Sequence, residues 1–151
     1  MAQRLVKSVE EMGQVANELG EQLSGGSVVY LVGELGAGKT TFVQALASFL
    51  GITRPVTSST FVLMSSYAVT SHPSIRKLVH VDLYRLTPEQ VQGETLVRDI
   101  LGEARTTGCL TVVEWADRLD KKTTPVGWWI RFNHGAESTD RTVRWEYGAG
   151  T

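Results

Sequence analysis

Residues 33–41 read Gly33-Glu34-Leu35-Gly36-Ala37-Gly38-Lys39-Thr40-Thr41, which contains the spacing G-x-x-x-x-G-K-T. Chemistry with polyphosphates needs these residue types in this order. Glycines let the backbone close around a dense anion where side chains would collide. The loop N–H groups and the start of the following helix then point at the phosphates. Lys39 is expected to reach the β- and γ-phosphates, the Thr40 hydroxyl to hold Mg²⁺, and Thr41 to touch the α-phosphate. The pattern arises by accident in roughly one chain in two hundred of this length. Here it also sits between a strand-like and a helix-like segment, the context the chemistry demands.

Two acids follow, each at the end of an apolar run: Asp82 after Leu78-Val79-His80-Val81, and Glu114 after Leu110-Thr111-Val112-Val113. Mg²⁺ takes oxygen ligands, and phosphoryl transfer also needs a group that orients the nucleophile. Asp82 and Glu114 are therefore candidates both for the metal and for catalysis, beside Lys39. Either acid alone is as well explained as a cap on the next segment. The N-K-x-D pattern of guanine readers is absent from the sequence, so ATP or ADP is the expected nucleotide by default.

The elements that must position these groups can be read from pattern. Ser8-Val9-Glu10-Glu11 is a capping box opening an amphipathic helix to about Leu23. Val28–Val32 reads as a buried strand, and Lys39–Leu50 as a helix closed by Gly51. Residues 61–67, 78–82 and 110–114 read as further strands. Residues 88–105 read as helix, broken near Gly93. Trp128–Phe132 and Thr142–Tyr147 alternate and are expected to pair as a hairpin. Trp128-Trp129 would then put one indole in and one out. Strands alternating with helices predict an α/β, three-layer P-loop NTPase-like fold. Its mixed central sheet would have a parallel core, antiparallel additions and helices on both faces. Ligands of such sheets bind outside the carboxyl ends of the strands, where the glycine loop, Asp82 and Glu114 all fall.

The 151 residues suit one domain. A net charge of −1 offers no broad attraction to tRNA, DNA or an acidic membrane. The lone Cys109 excludes an intrachain disulfide and fits a reducing cytoplasm, and its apolar neighbours suggest a buried small hydrophobe. No apolar run approaches the ~20 residues of a membrane span, and none reads as a signal peptide.

The segments "GELGAGKTTF", "VTSSTFVL", "HVDLYRL" and "VVEWADRL" occur in that order between residues 33 and 119. Together they resemble the TsaE (YjeE) family, small bacterial P-loop ATPases of the tRNA threonylcarbamoyladenosine pathway. The resemblance implies an ATPase that sustains turnover of a TsaB–TsaD complex, with tRNA engaged only indirectly. It implies Lys39 and Thr40 as the P-loop pair, and Thr57 and Ser58 as a switch-like loop sensing the γ-phosphate. It further implies Glu114 as the Mg²⁺-linked acid, Trp115 as its neighbour, and a late arginine, here Arg141, near the nucleotide. Ser8 would border the adenine for the same reason. One departure stands out: Ser59 occupies the place of the family's usual switch proline, which leaves that loop less constrained.

Other residues carry weaker signals. His80 reads as a packed or half-exposed strand histidine more readily than as a base. Tyr84-Arg85 suits a partner contact or a solvated strand end, and Lys121-Lys122 a solvated turn. Two other functions compete with the ATPase subunit. A free-standing small-molecule kinase would want an arginine-rich lid, whereas residues 88–105 hold only Arg98 and Arg105. A nucleotide-gated binding module would make hydrolysis incidental.

Overall fold

The computed structural model describes residues 2–34, 36–56, 64–106 and 108–150. The elements run β1 (Ala2–Val6), α1 (Val9–Gly20), β2 (Val28–Gly33), α2 (Lys39–Phe49), β3 (Met64–Ala68) and β4 (Lys77–Asp82). They continue with α3 (Pro88–Gly93), α4 (Thr95–Glu103), β5 (Cys109–Glu114), a 3₁₀ turn (Ala116–Arg118), β6 (Gly127–His134) and β7 (Arg141–Gly148). All seven strands form one sheet in the order β1-β7-β6-β2-β5-β4-β3. The centre, β6-β2-β5-β4, is parallel, while β3, β7 and β1 add antiparallel strands at its two sides. The expected α/β fold with a parallel core and antiparallel additions is the fold observed.

Alternation along the strands gives the sheet two apolar faces. Leu31, Leu78, Leu110 and Val112 pack with Met12, Val15 and Leu19 of α1 and with Phe42, Val43 and Leu46 of α2. Tyr30, Val79, Val81 and Val113 pack on the other face with Val91 and Val97 of α3 and α4. The result is three layers. Among the described residues no helix is long and apolar enough to cross a membrane.

The sequence expectations need local correction. The helix from Val9 ends at Gly20, three residues short of Leu23. Ser8 does cap it, accepting from the Glu11 N–H at 3.1 Å, but the Glu11 carboxylate returns to the N–H of Lys7 rather than of Ser8. The strand expected at 61–67 is seen from Met64 onward, and residues 61–63 lie outside the described ones. The helical stretch 88–105 divides at Glu94, whose ψ of 111° ends α3 while its carboxylate caps the N–H of Leu96 in α4. Strand β1 was not anticipated: five residues, three of them exposed, give little apolar pattern. Trp129 is buried against Tyr30, and Trp128 packs partly buried against the opposite face, so neither indole stands free. Cys109 is half-buried rather than buried.

Candidate functional site

The end of β2 delivers the chain straight into the glycine loop. A side chain at Gly33 would strike the Phe132 carbonyl of β6 at 2.8 Å, so only glycine lets β2 finish against its parallel neighbour. Gly38 is the N-cap of α2 with φ of 110°, in the left-handed region, where no cap side chain is available. The first-turn N–H groups of α2 therefore have no side-chain acceptor at the cap. Thr40 is exposed and Thr41 half-buried at this end. Arg141, at the start of β7, closes the loop from the other side. Its Nε and Nη2 donate to the Gly36 carbonyl at 3.1 and 2.8 Å, and its Nη1 donates to the carbonyls of Ser138 and Asp140.

Lys39 is buried, and its ammonium is turned back onto its own loop, donating to the carbonyls of Gly33 and Glu34. The Trp115 ring lies 4.2 Å from Nζ. Burial pushes the Lys39 pKa below the usual lysine range; Glu114 is the strongest opposing influence, followed by Asp117, Asp82 and Glu34. A buried cation ringed by acids and held by carbonyls suits a lysine that exchanges these partners for phosphate oxygens.

The two acids arrive on adjacent parallel strands, and Asp82 and Glu114 stand directly opposite each other in register. Both are in phase with the residues that face α1 and α2, the side on which the glycine loop turns into its helix. Their environments differ. Asp82 is half-buried and accepts from the Tyr84 N–H at 2.9 Å, so part of its role is the local turn. Glu114 is buried, and its Oε2 lies 2.6 Å from Nε2 of His80, with both side chains only 3% exposed. A hydrogen bond in which the Glu114 oxygen accepts uses the tautomer with the hydrogen on Nε2.

Immediately after Glu114 the chain makes a sharp turn. Trp115 has φ of 58° and ψ of 39°, the one non-glycine residue with positive φ among those described. That conformation costs an L-residue about 1–2 kcal/mol. The strained turn sends the indole across Lys39, where Tyr84 and Arg118 also pack against it. Arg118 Nη1 in turn donates to the carbonyls of Leu83, Tyr84 and Leu86, pinning the loop that follows Asp82.

A cleft of about 270 Å³ opens beside the glycine loop, lined by Val6, Ser8, Val9 and Met12 on one wall and by Ser138, Thr139 and Arg141 on the other, with Gly36, Gly38 and Thr41 at its base. Ser8 and Arg141, expected near the nucleotide, thus border the same space. Leu35, Thr57, Ser58 and Ser59 lie outside the described residues.

The donor set suits Mg²⁺. That ion is usually held by one or two carboxylates together with phosphates and water. Thr40 and the two strand-end acids offer that kind of partial shell, and no group of three or more ligating side chains is found among the described residues.

A family model described as threonylcarbamoyl adenosine biosynthesis protein TsaE matches residues 6–143. The chain belongs to the TsaE family. A protein from Nostoc named tRNA threonylcarbamoyladenosine biosynthesis protein TsaE is 43% identical over 104 residues, covering 69% of this chain and 61% of that relative, under two thirds of its length. A TsaE protein of the same name from Mycobacterium bovis is 33% identical over 141 residues, or 93% of this chain and 83% of the relative. The crystal structure of Bacillus subtilis YdiB superposes with a TM-score of 0.71 at 26% identity, covering 99% of this chain and 86% of that one. The TsaE resemblance of the four motifs is therefore upheld across the chain.

Two contacts around the site of this TsaE chain are not signalled by its sequence pattern. His80 is packed in its strand, as the sequence suggests, but its pairing to Glu114 depends on strand register. Arg118 sits in the turn after the Glu114-Trp115 pair, where nothing local signals that it ties down a loop more than thirty residues earlier.

Proposed function

We propose that this TsaE-family protein binds Mg-ATP in the loop from Gly33 to Thr41, hydrolyses it, and acts as the ATPase subunit serving a TsaB–TsaD complex in tRNA threonylcarbamoyladenosine biosynthesis. The observation that carries the reading is Lys39. Its ammonium is stored on loop carbonyls, within the electrostatic reach of Glu114 and Asp82. A triphosphate offers better acceptors, so binding converts these weak interactions into charge-assisted ones. The N–H groups at the start of α2 receive the β-phosphate, the cleft between α1 and β7 receives the nucleoside, and Arg141 supports the loop from behind. Bound Mg²⁺ would neutralise charge on the β- and γ-oxygens, held by Thr40 with Asp82 or Glu114. Glu114 orients the attacking water, and Trp115 shields Lys39 from bulk solvent.

The net charge of −1 supports indirect action on tRNA. The names of the relatives support the pathway, and a nucleotide-driven subunit needs a partner whose affinity differs between the ATP and ADP states. The test is steady-state ATP turnover with and without purified TsaB–TsaD, together with tRNA modification over several cycles. Acceleration of both is expected. If the complex changes neither and a small molecule becomes phosphorylated instead, the protein is a kinase.

A further inference from the structure

We propose that His80 is a positioning residue for hydrolysis: its imidazole holds one oxygen of Glu114 so that the carboxylate presents a single fixed orientation toward the nucleotide loop. The proposal rests on the reading of Glu114 as the hydrolytic acid. Three observations lead to it. The His80–Glu114 contact is short, 2.6 Å, and both side chains are almost wholly buried. The pair lies on the face where the layers beneath it are Leu78, Leu110 and Val112, packed among α1 and α2. Finally, β4 and β5 are already joined by a parallel ladder from Lys77 opposite Cys109 to Asp82 opposite Glu114, so the strands do not need a side-chain tie to keep register. Apolar residues would fill that layer at lower desolvation cost. A buried histidine–carboxylate pair at the top of the layer is therefore better explained by what the carboxylate must do.

The geometry also limits what His80 does. With Nε2 bonded to Oε2 of Glu114, while Lys39 Nζ donates to the Gly33 and Glu34 carbonyls, His80 acts through Glu114. Glu114 is the acid whose charge bears most on Lys39, so the orientation that His80 imposes is felt at the phosphate-binding lysine. A carboxylate free to rotate would lose that alignment, and partners that orient a functional side chain typically matter by about 10–100-fold.

The test compares His80→Leu, His80→Gln and Glu114→Gln with the wild type, using ATP turnover by the full chain with Mg²⁺ and the TsaB–TsaD complex. His80→Leu removes the donor, while His80→Gln keeps an N–H at similar reach. The expected result is a fall in kcat of about 10–100-fold for His80→Leu, with KM for ATP changed less than about threefold. His80→Gln is expected to restore most of the rate. Should His80→Leu fail to fold, His80→Asn replaces it, since its amide is too short to reach Oε2. A wild-type kcat in the donor-less variant, or equal losses with leucine and glutamine, overturns the assignment. If Glu114→Gln is inactive while His80→Leu is normal, only the role of His80 falls. If Glu114→Gln turns over at the wild-type rate, the underlying reading of Glu114 falls with it.

Discussion

Two walls flank the glycine loop, a different pair from the two that line the cleft beside it, and they are built differently. The acid wall comes from the parallel core: Asp82 and Glu114 end neighbouring strands in register, and Glu114 is sealed in with His80. The basic wall comes from the antiparallel hairpin β6–β7, whose Arg141 reaches back to the Gly36 carbonyl from the surface. Burial fixes the first wall, because leaving either buried polar partner without its hydrogen bond there is costly. The second is held by hydrogen bonds at the water boundary, each worth about 0.5–1.5 kcal/mol. Side chains fixed by burial thus lie in the core, and those held by exposed hydrogen bonds lie on a rim that can yield. Lys39 belongs to both, since it springs from the loop but lies buried beneath Trp115.

The strongest way to break this comparison is to remove the acid wall. Glu114→Ala is expected to reduce ATP turnover by about 100-fold or more, in the range of a lost acid–base or water-orienting group, while nucleotide affinity changes little. Asp82→Ala should act in the same direction but also loosen the loop after β4, because the Tyr84 N–H loses its acceptor. Single-turnover hydrolysis set against calorimetric affinity checks both. An affinity loss as large as the rate loss would mean that the acid wall binds rather than acts.

Next in size is Lys39→Ala. Losing one charge-assisted contact to phosphate costs about 1.5–3 kcal/mol, equivalent to roughly 10- to 150-fold in affinity. Titration calorimetry with Mg-ATP and Mg-ADP measures it, and unchanged affinity for both nucleotides would remove Lys39 from the phosphate site.

The same lysine gives a pH prediction that bears on the contrast between burial and rim. In the free protein burial lowers its pKa below the usual ~10.4, whereas a bound triphosphate favours the charged form. Binding therefore takes up protons between the lowered value and the bound one. Affinity is full below the free-protein pKa and declines as pH rises through it. Calorimetry as pH is raised toward the usual lysine range, in buffers of different ionisation enthalpy, should register proton uptake that is absent in Lys39→Ala. Uptake equal in that variant would assign the proton elsewhere.

How much of this could be read in the sequence follows from the same division. The unit from β2 through the glycine loop to α2 is local, with its strand, glycines, lysine and helix contiguous, and the chain writes it out in order. The strand-end acids were legible because a buried parallel strand is an apolar run and a terminal acid punctuates it. What joins the pieces was not legible. His80 meets Glu114 because β4 and β5 take one particular register across 34 residues, and a shift of one residue would turn every side chain to the other face. Arg141 meets Gly36 across 105 residues. Its role was suggested by family resemblance, while pattern alone left its register open. Trp128 and Trp129 take opposite faces, as alternation implies, and only the degree to which Trp128 is covered could not be read from pattern.

The smallest expected effect, and the one that sharpens the comparison most, lies on the rim. Arg141 spends its guanidinium on carbonyls of Gly36, Ser138 and Asp140, so its first duty is to hold the glycine loop and the β6–β7 turn together. Arg141→Ala frees the Gly36 carbonyl to water, since the contact is exposed, and the cost should stay near the 0.5–1.5 kcal/mol of ordinary hydrogen bonds, or about 2- to 10-fold in nucleotide affinity. Because Gly36 lies under the cleft rather than at the acid wall, ATP and ADP should weaken by the same factor and the rate of bound ATP hydrolysis should hold. Arg141→Lys should behave nearly like alanine, because an ammonium cannot reproduce the fork that spans Gly36 and Ser138. Calorimetry for both nucleotides, paired with single-turnover hydrolysis at saturation, tests this. A selective loss of ATP over ADP would move Arg141 from the supporting rim to the γ-phosphate, and a loss of rate at saturation would mean that the hairpin acts on the reaction as the parallel core does.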